Sequence, residues 1–88
     1  QFDKKVLHHI YNSNNSLIEK LKKGLALNLN EINDLKNLSA TYLICYLNNF
    51  EHAIDKLEEI KPILKSYSKD IYEGYKLTMR ILRKVKYN

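Results

Sequence analysis

Eighty-eight residues, 44% hydrophobic and 28% charged with two glycines, one proline and no tryptophan, make a composition suited to a folded globular or coiled-coil chain and not to a disordered one. A chain of this length buries only about 60–65% of its unfolded surface, so we place one domain over residues 1–88 and expect it to gain from a partner. No apolar run reaches the roughly 18 residues of a membrane span, and the single cysteine, Cys45, excludes a disulfide scaffold.

In chain order, Phe2, Val6 and Ile10, with Leu7 and Tyr11, mark a short amphipathic helix that the polar tract Asn12-Ser13-Asn14-Asn15 is expected to end. Ser16-Leu17-Ile18-Glu19 has capping-box spacing, with the serine hydroxyl toward the amide of Glu19 and the carboxylate toward that of Ser16, so a second helix is predicted from there. Lys20, Lys22 and Lys23 before Gly24 are a C-terminal signal: cations meet the negative end of the helix dipole, and glycine accepts a left-handed turn. Residues 25–30 alternate apolar and other side chains, but a lone strand has nothing to pair with. They are read as a buried connector or a helix continuation. Asn28 or Asn30 is the cap expected for a short helix through Ile32 and Leu35, and Ser39 the cap of the next.

From there an apolar stripe runs at three- and four-residue spacing: Leu43, Leu47, Phe50, Ile54, Leu57, Ile60, Leu64, Tyr67, Ile71, Tyr75, Thr78, Leu82, Val85. Such a face must be buried against other helices. Leu43, Leu47, Phe50, Ile54, Leu57, Leu64, Ile71 and Leu82 are therefore the expected core. Ile44 and Cys45 lie off this face, so the start of the helix after Ser39 is apolar nearly all round, and we expect a partner or a second copy to dock there. Pro62 lacks an amide donor and clashes with the preceding turn, which predicts a break into a helix pair at that point, with a kink in one continuous helix as the alternative. The fold class expected is all-α, a small bundle of roughly three to five helices with a long C-terminal amphipathic helix or helix pair.

Charge is uneven. Basic and acidic side chains balance over residues 1–75, while Lys76, Arg80, Arg83, Lys84 and Lys86 supply the whole net charge of +5. Lys76, Arg80, Arg83 and Lys84 fall on one face of the last helix, opposite Leu77, Ile81 and Val85. The plain reading is a solvated face that complements the helix C-terminus. The sharper one is a docking stripe for an acidic protein, a phosphate backbone or an anionic membrane surface. Of the seven tyrosines, Tyr46, Tyr67 and Tyr75 sit on apolar faces and read as packing, whereas Tyr11, Tyr72 and Tyr87 are freer for surface contacts.

Constellations for catalysis or metal binding do not form. His8 and His9 are adjacent and diverge around a helix, and His52 has asparagine at position 49 where a Glu-x-x-His pair would need glutamate. There is no His-Glu-x-x-His, glycine-rich phosphate loop or Cys-x-x-Cys. We expect no enzyme, no cofactor and no small-molecule substrate. Asn14-Asn15-Ser16 and Asn37-Leu38-Ser39 match the glycosylation acceptor pattern, which an asparagine-rich chain meets often by chance. The chain is expected to be soluble and cytoplasmic, with secretion after signal removal as the alternative, since it opens on Gln1.

In size, basicity and helix order, with His8-His9-Ile10-Tyr11-Asn12 in the opening helix, the chain resembles the immunity proteins of pediocin-like bacteriocins. That resemblance implies a small four-helix bundle that protects a producer cell. Asn37-Leu38-Ser39 through Leu64 also resembles the helical core of KxDL-motif subunits of lysosome-positioning complexes, although Ile63 stands where their defining Asp belongs. The function expected from the residues is a non-catalytic protein-interaction module, a subunit of a helical assembly or an inhibitor or immunity-like binder. The alternative is nucleic-acid binding through the basic last helix.

Overall fold

Asp3 opens the first helix by accepting a hydrogen bond from the amide of Lys5 at 2.9 Å, the capping role that a short acidic side chain fills well. The computed structural model describes residues 3–87, apart from the side chain of Tyr87, so the expectations for Phe2 and Tyr87 lie outside the described residues. Four helices follow: α1 (Lys4–Lys22), α2 (Leu29–Leu47), α3 (His52–Tyr67) and α4 (Lys69–Tyr87). No strand occurs among the described residues, and the protein is an all-α bundle. Both α1 and α4 pack against α2 and α3 without meeting each other, so they lie on opposite sides of the central α2–α3 pair. One core joins all four helices, with Tyr42, Ile18, Leu35, Leu38, Leu57 and Ile60 among its fully buried side chains.

The Asn12–Asn15 tract does not end a helix, and no second helix starts at Ser16. Tertiary hydrogen bonds carry α1 through it: the buried Asn14 donates Nδ2 to Thr41 Oγ1 at 2.8 Å, and Asn15 Oδ1 accepts from the Tyr42 hydroxyl at 2.6 Å. Buried polar groups with partners no longer compete with the helix backbone. The predicted stop at Gly24 is where α1 ends. Gly24 has φ +70°, its amide donates to Leu21 O, and that of Leu25 donates to Lys20 O, which together form a Schellman motif. Residues 25–28 are a connector, half exposed at Leu25 and packed on the core at Leu27.

Asn28 caps α2 in a full capping box with Glu31, at 2.8 and 3.0 Å. Lys20 of α1 also reaches the Glu31 carboxylate and, together with the Asn28 amide, holds its pKa below the usual carboxylate value. This helix passes straight through Ser39, which is buried inside it and caps nothing. It then stops at Leu47, so the long helix expected to run from Ser39 toward Pro62 is in fact divided between α2 and α3. Asn49 takes φ +76°, its amide donates to Tyr46 O, and that of Phe50 donates to Cys45 O. This is a second Schellman motif, with asparagine in the place of glycine.

The break at Asn49 rotates α3 away from the register assumed for one continuous stripe. Leu47, an expected core residue, is 52% exposed, and Phe50 is half-buried with its ring against His8 and Tyr11. Pro62 does not break the chain: α3 runs through it to Tyr67, and the turn falls at Ser68, whose backbone is extended. Ser68 opens α4 instead, accepting at O from the amide of Tyr72 at 3.0 Å. An interior proline costs about 3 kcal/mol. Leu57, Ile60 and Leu64 around it are fully buried, each worth about 1.5–3 kcal/mol, so burial on both sides outweighs the proline, whose own ring faces solvent.

Candidate partner-binding surface

The last helix carries two apolar faces. Ile71, Tyr75, Thr78 and Leu82, spaced by four, three and four, are buried against α2 and α3. Leu77, Ile81 and Val85, spaced by four, are 54%, 44% and 50% exposed. Val85, expected in the buried stripe, belongs to this outer row. Other large apolar side chains are exposed singly, such as Val6 and Leu29, which is ordinary for a protein surface. Leu77, Ile81 and Val85 differ because they form a row on one rigid helix.

Two of the cations expected on the opposite face border that row instead: Arg80 and Lys84 stand one turn beyond Leu77 and Ile81, while Lys76 and Arg83 face away from it. Lys76, Arg80, Arg83, Lys84 and Lys86 are all exposed, and from residue 76 to residue 87 the helix carries no acidic side chain. Lys76 pairs with Glu73 one turn back at 3.0 Å. The other four enter no ion pair among the described residues. Lys76, Arg80 and Arg83 turn toward α3. With Lys61, Tyr72, Tyr75 and Met79 they line a cleft of about 360 Å³.

The other expected contact residues are placed differently. Cys45 is fully buried, with its Sγ 3.9 Å from Leu7 O, and burial pushes its thiol pKa up. A docking partner cannot reach it, because α1 already covers that side of α2. Ile44 is half-buried and packs on the same core. Residues 42–47 are apolar nearly all round, and α1, α3 and α4 pack on α2 to bury Tyr42, Leu43 and Cys45 while Leu47 stays exposed.

His8 and His52 line a second, larger cleft of about 590 Å³, where α1 meets the α2–α3 turn, together with Lys4, Tyr11, Phe50 and Glu51. His8 meets Phe50 edge-on at 5.0 Å, while His52 and Asp55 stay in solvent 3.5 Å apart. Sequence spacing gave no sign that these two histidines share a cleft, since the α2–α3 turn brings them together. No group of three potential metal ligands forms among the described residues. No helix among them is long and apolar enough to cross a membrane.

Fold and surface together define a small all-α bundle whose last helix presents a basic, partly apolar outer face. The chain belongs to the family described as Domain of unknown function (DUF5929), whose model matches residues 1–88. No curated protein and no solved structure matches it.

Proposed function

We propose that this protein is a non-catalytic binding module that docks an acidic, amphipathic segment of another protein on the outer face of α4. The observation that carries this reading is the half-exposed row Leu77, Ile81 and Val85 beside Arg80 and Lys84, which enter no ion pair among the described residues. Completing the burial of three half-exposed side chains is worth on the order of 3 kcal/mol, about a hundredfold in affinity. The surrounding cations add orientation and a faster encounter with an acidic partner. Self-association through the same row is disfavoured, because it would set Arg80 and Lys84 of one copy against those of the next. A helical-assembly subunit and an immunity-like inhibitor are both forms of this reading, and the cytoplasm is the compartment we assign to it.

Site-specific photo-crosslinking in cells tests it. A photoreactive side chain at Ile81 is expected to trap one discrete acidic protein, and the same group at the exposed Lys36 of α2 is expected to trap none. The adduct should vanish when Leu77→Glu and Val85→Glu are introduced. Equal adducts from both positions, or an adduct insensitive to these substitutions, would overturn the proposal.

A further inference from the structure

The α3–α4 groove lies on the opposite flank of α4 from Leu77, Ile81 and Val85, and its chemistry is different. Lys61 stands on the α3 wall, and Lys76, Arg80 and Arg83, spaced by four and three, share the α4 wall. Tyr75 is buried at the floor, and Met79 is half-buried beside it. No carboxylate lines the cleft. Glu73 holds Lys76 from the rim, and Glu58 lies close enough to join burial in raising the Tyr75 hydroxyl. Lys61, Arg80 and Arg83 are left without an ion pair among the described residues. Like charges gathered around one small cleft repel each other, and an anion of high charge density relieves that repulsion.

The aromatic arrangement narrows the anion. Tyr72 stacks on Tyr75 with centroids 5.9 Å apart and planes 9° from parallel, and Lys76 Nζ sits 5.2 Å from the Tyr72 centroid. The Tyr72 ring is thus engaged by its neighbours and holds Lys76 in place; it is not an open platform for a nucleic-acid base. Two arginine forks one turn apart suit the tetrahedral oxygens of a phosphate better than a flat carboxylate row would. We infer that the α3–α4 groove is a binding site for a phosphate monoester or diphosphate group, gripped by Lys61 on one wall and by Lys76, Arg80 and Arg83 on the other. The same group occurs on free small molecules and on phosphorylated lipid headgroups.

The test follows amide signals of the full chain by nuclear magnetic resonance during titration with pyrophosphate. Saturable shifts are expected at residue 61 and across 72–83, with a Kd at or below about 1 mM. Arg80→Gln with Arg83→Gln should weaken binding by about tenfold or more, whereas Lys84→Gln, which lies off the groove, should change it by less than about twofold. Vesicles of phosphatidylcholine with phosphatidylinositol bisphosphate separate the sources. Co-sedimentation lost in the Arg80/Arg83 variant assigns the lipid headgroup, and pyrophosphate binding without co-sedimentation assigns a free ligand. Unchanged circular dichroism of each variant keeps the comparison valid. Shifts spread over all basic residues, equal sensitivity to Lys84→Gln, or stronger binding to single-stranded oligothymidylate than to pyrophosphate would each overturn the proposal in favour of a general polyanion surface.

Discussion

Tyr42 shows how one side chain can commit two helices to each other. Its ring is fully buried, meets Tyr11 edge-on at 6.0 Å, and its hydroxyl donates to Asn15 across the α1–α2 interface. Desolvation drives its pKa far above the ordinary tyrosine value, so the neutral, donating form persists through the physiological range. Tyr42→Phe keeps the packing and leaves Asn15 without this donor. We expect a loss of about 1–2 kcal/mol in denaturant melts, whereas Tyr42→Ala should cost about 3–5 kcal/mol by opening a cavity as well. A Phe variant as stable as the parent would mean that water replaces the bond. The residue also explains why the asparagine tract misleads. Asn14 and Asn15 resemble helix breakers in sequence, and only the partners that α2 supplies, Thr41 and Tyr42, make them helix residues.

At the scale of elements, the helix ends separate what is readable locally from what is not. Gly24 ends α1 where its chemistry puts it, and the box with Glu31 selects Asn28 over Asn30 as the start of α2, whereas Ser16–Glu19 has the same spacing and lies inside α1. The α2–α3 boundary rests on Asn49 in a left-handed conformation, which glycine adopts freely and asparagine at some cost. Asn49→Gly should therefore be nearly neutral, whereas Asn49→Ala should lower stability by about 1 kcal/mol, read as a fall in melting temperature. Equal stability of the two variants would show that the turn does not need this conformation. The dipeptide Asn48-Asn49 was the available signal for the break; the continuous apolar spacing across it hid that signal. Pro62 is the converse case, a strong local breaker overruled by complete burial of Leu57, Ile60 and Leu64.

For the molecule as a whole, charge and exposed apolar surface coincide on one helix. Arg80→Glu with Arg83→Glu should leave the melting transition within about 0.5 kcal/mol of the parent, since both side chains are exposed and carry no ion pair among the described residues. By sedimentation the purified protein should be a monomer at low salt, because two copies meeting through α4 would oppose their cations. A stable dimer lost on Leu77→Glu would instead assign the outer row to self-contact.

The all-α class, the start of α2, the stop of α1 and the concentration of positive charge after residue 75 were determined by the sequence itself, since each depends on local spacing, capping chemistry or composition. The buried row of α4, Ile71, Tyr75, Thr78 and Leu82, was legible as part of the apolar stripe; the place of Val85 was not, since it joins Leu77 and Ile81 in a second, outer row that also has helical spacing. The burial of Cys45, the exposure of Leu47 and the meeting of Lys61 with Arg80 and Arg83 likewise depend on how α2 and α3 are rotated after the turn at Asn49. Periodicity states that a face is apolar; only packing decides which of two apolar faces is covered, because burial depends on the positions of all four helices at once.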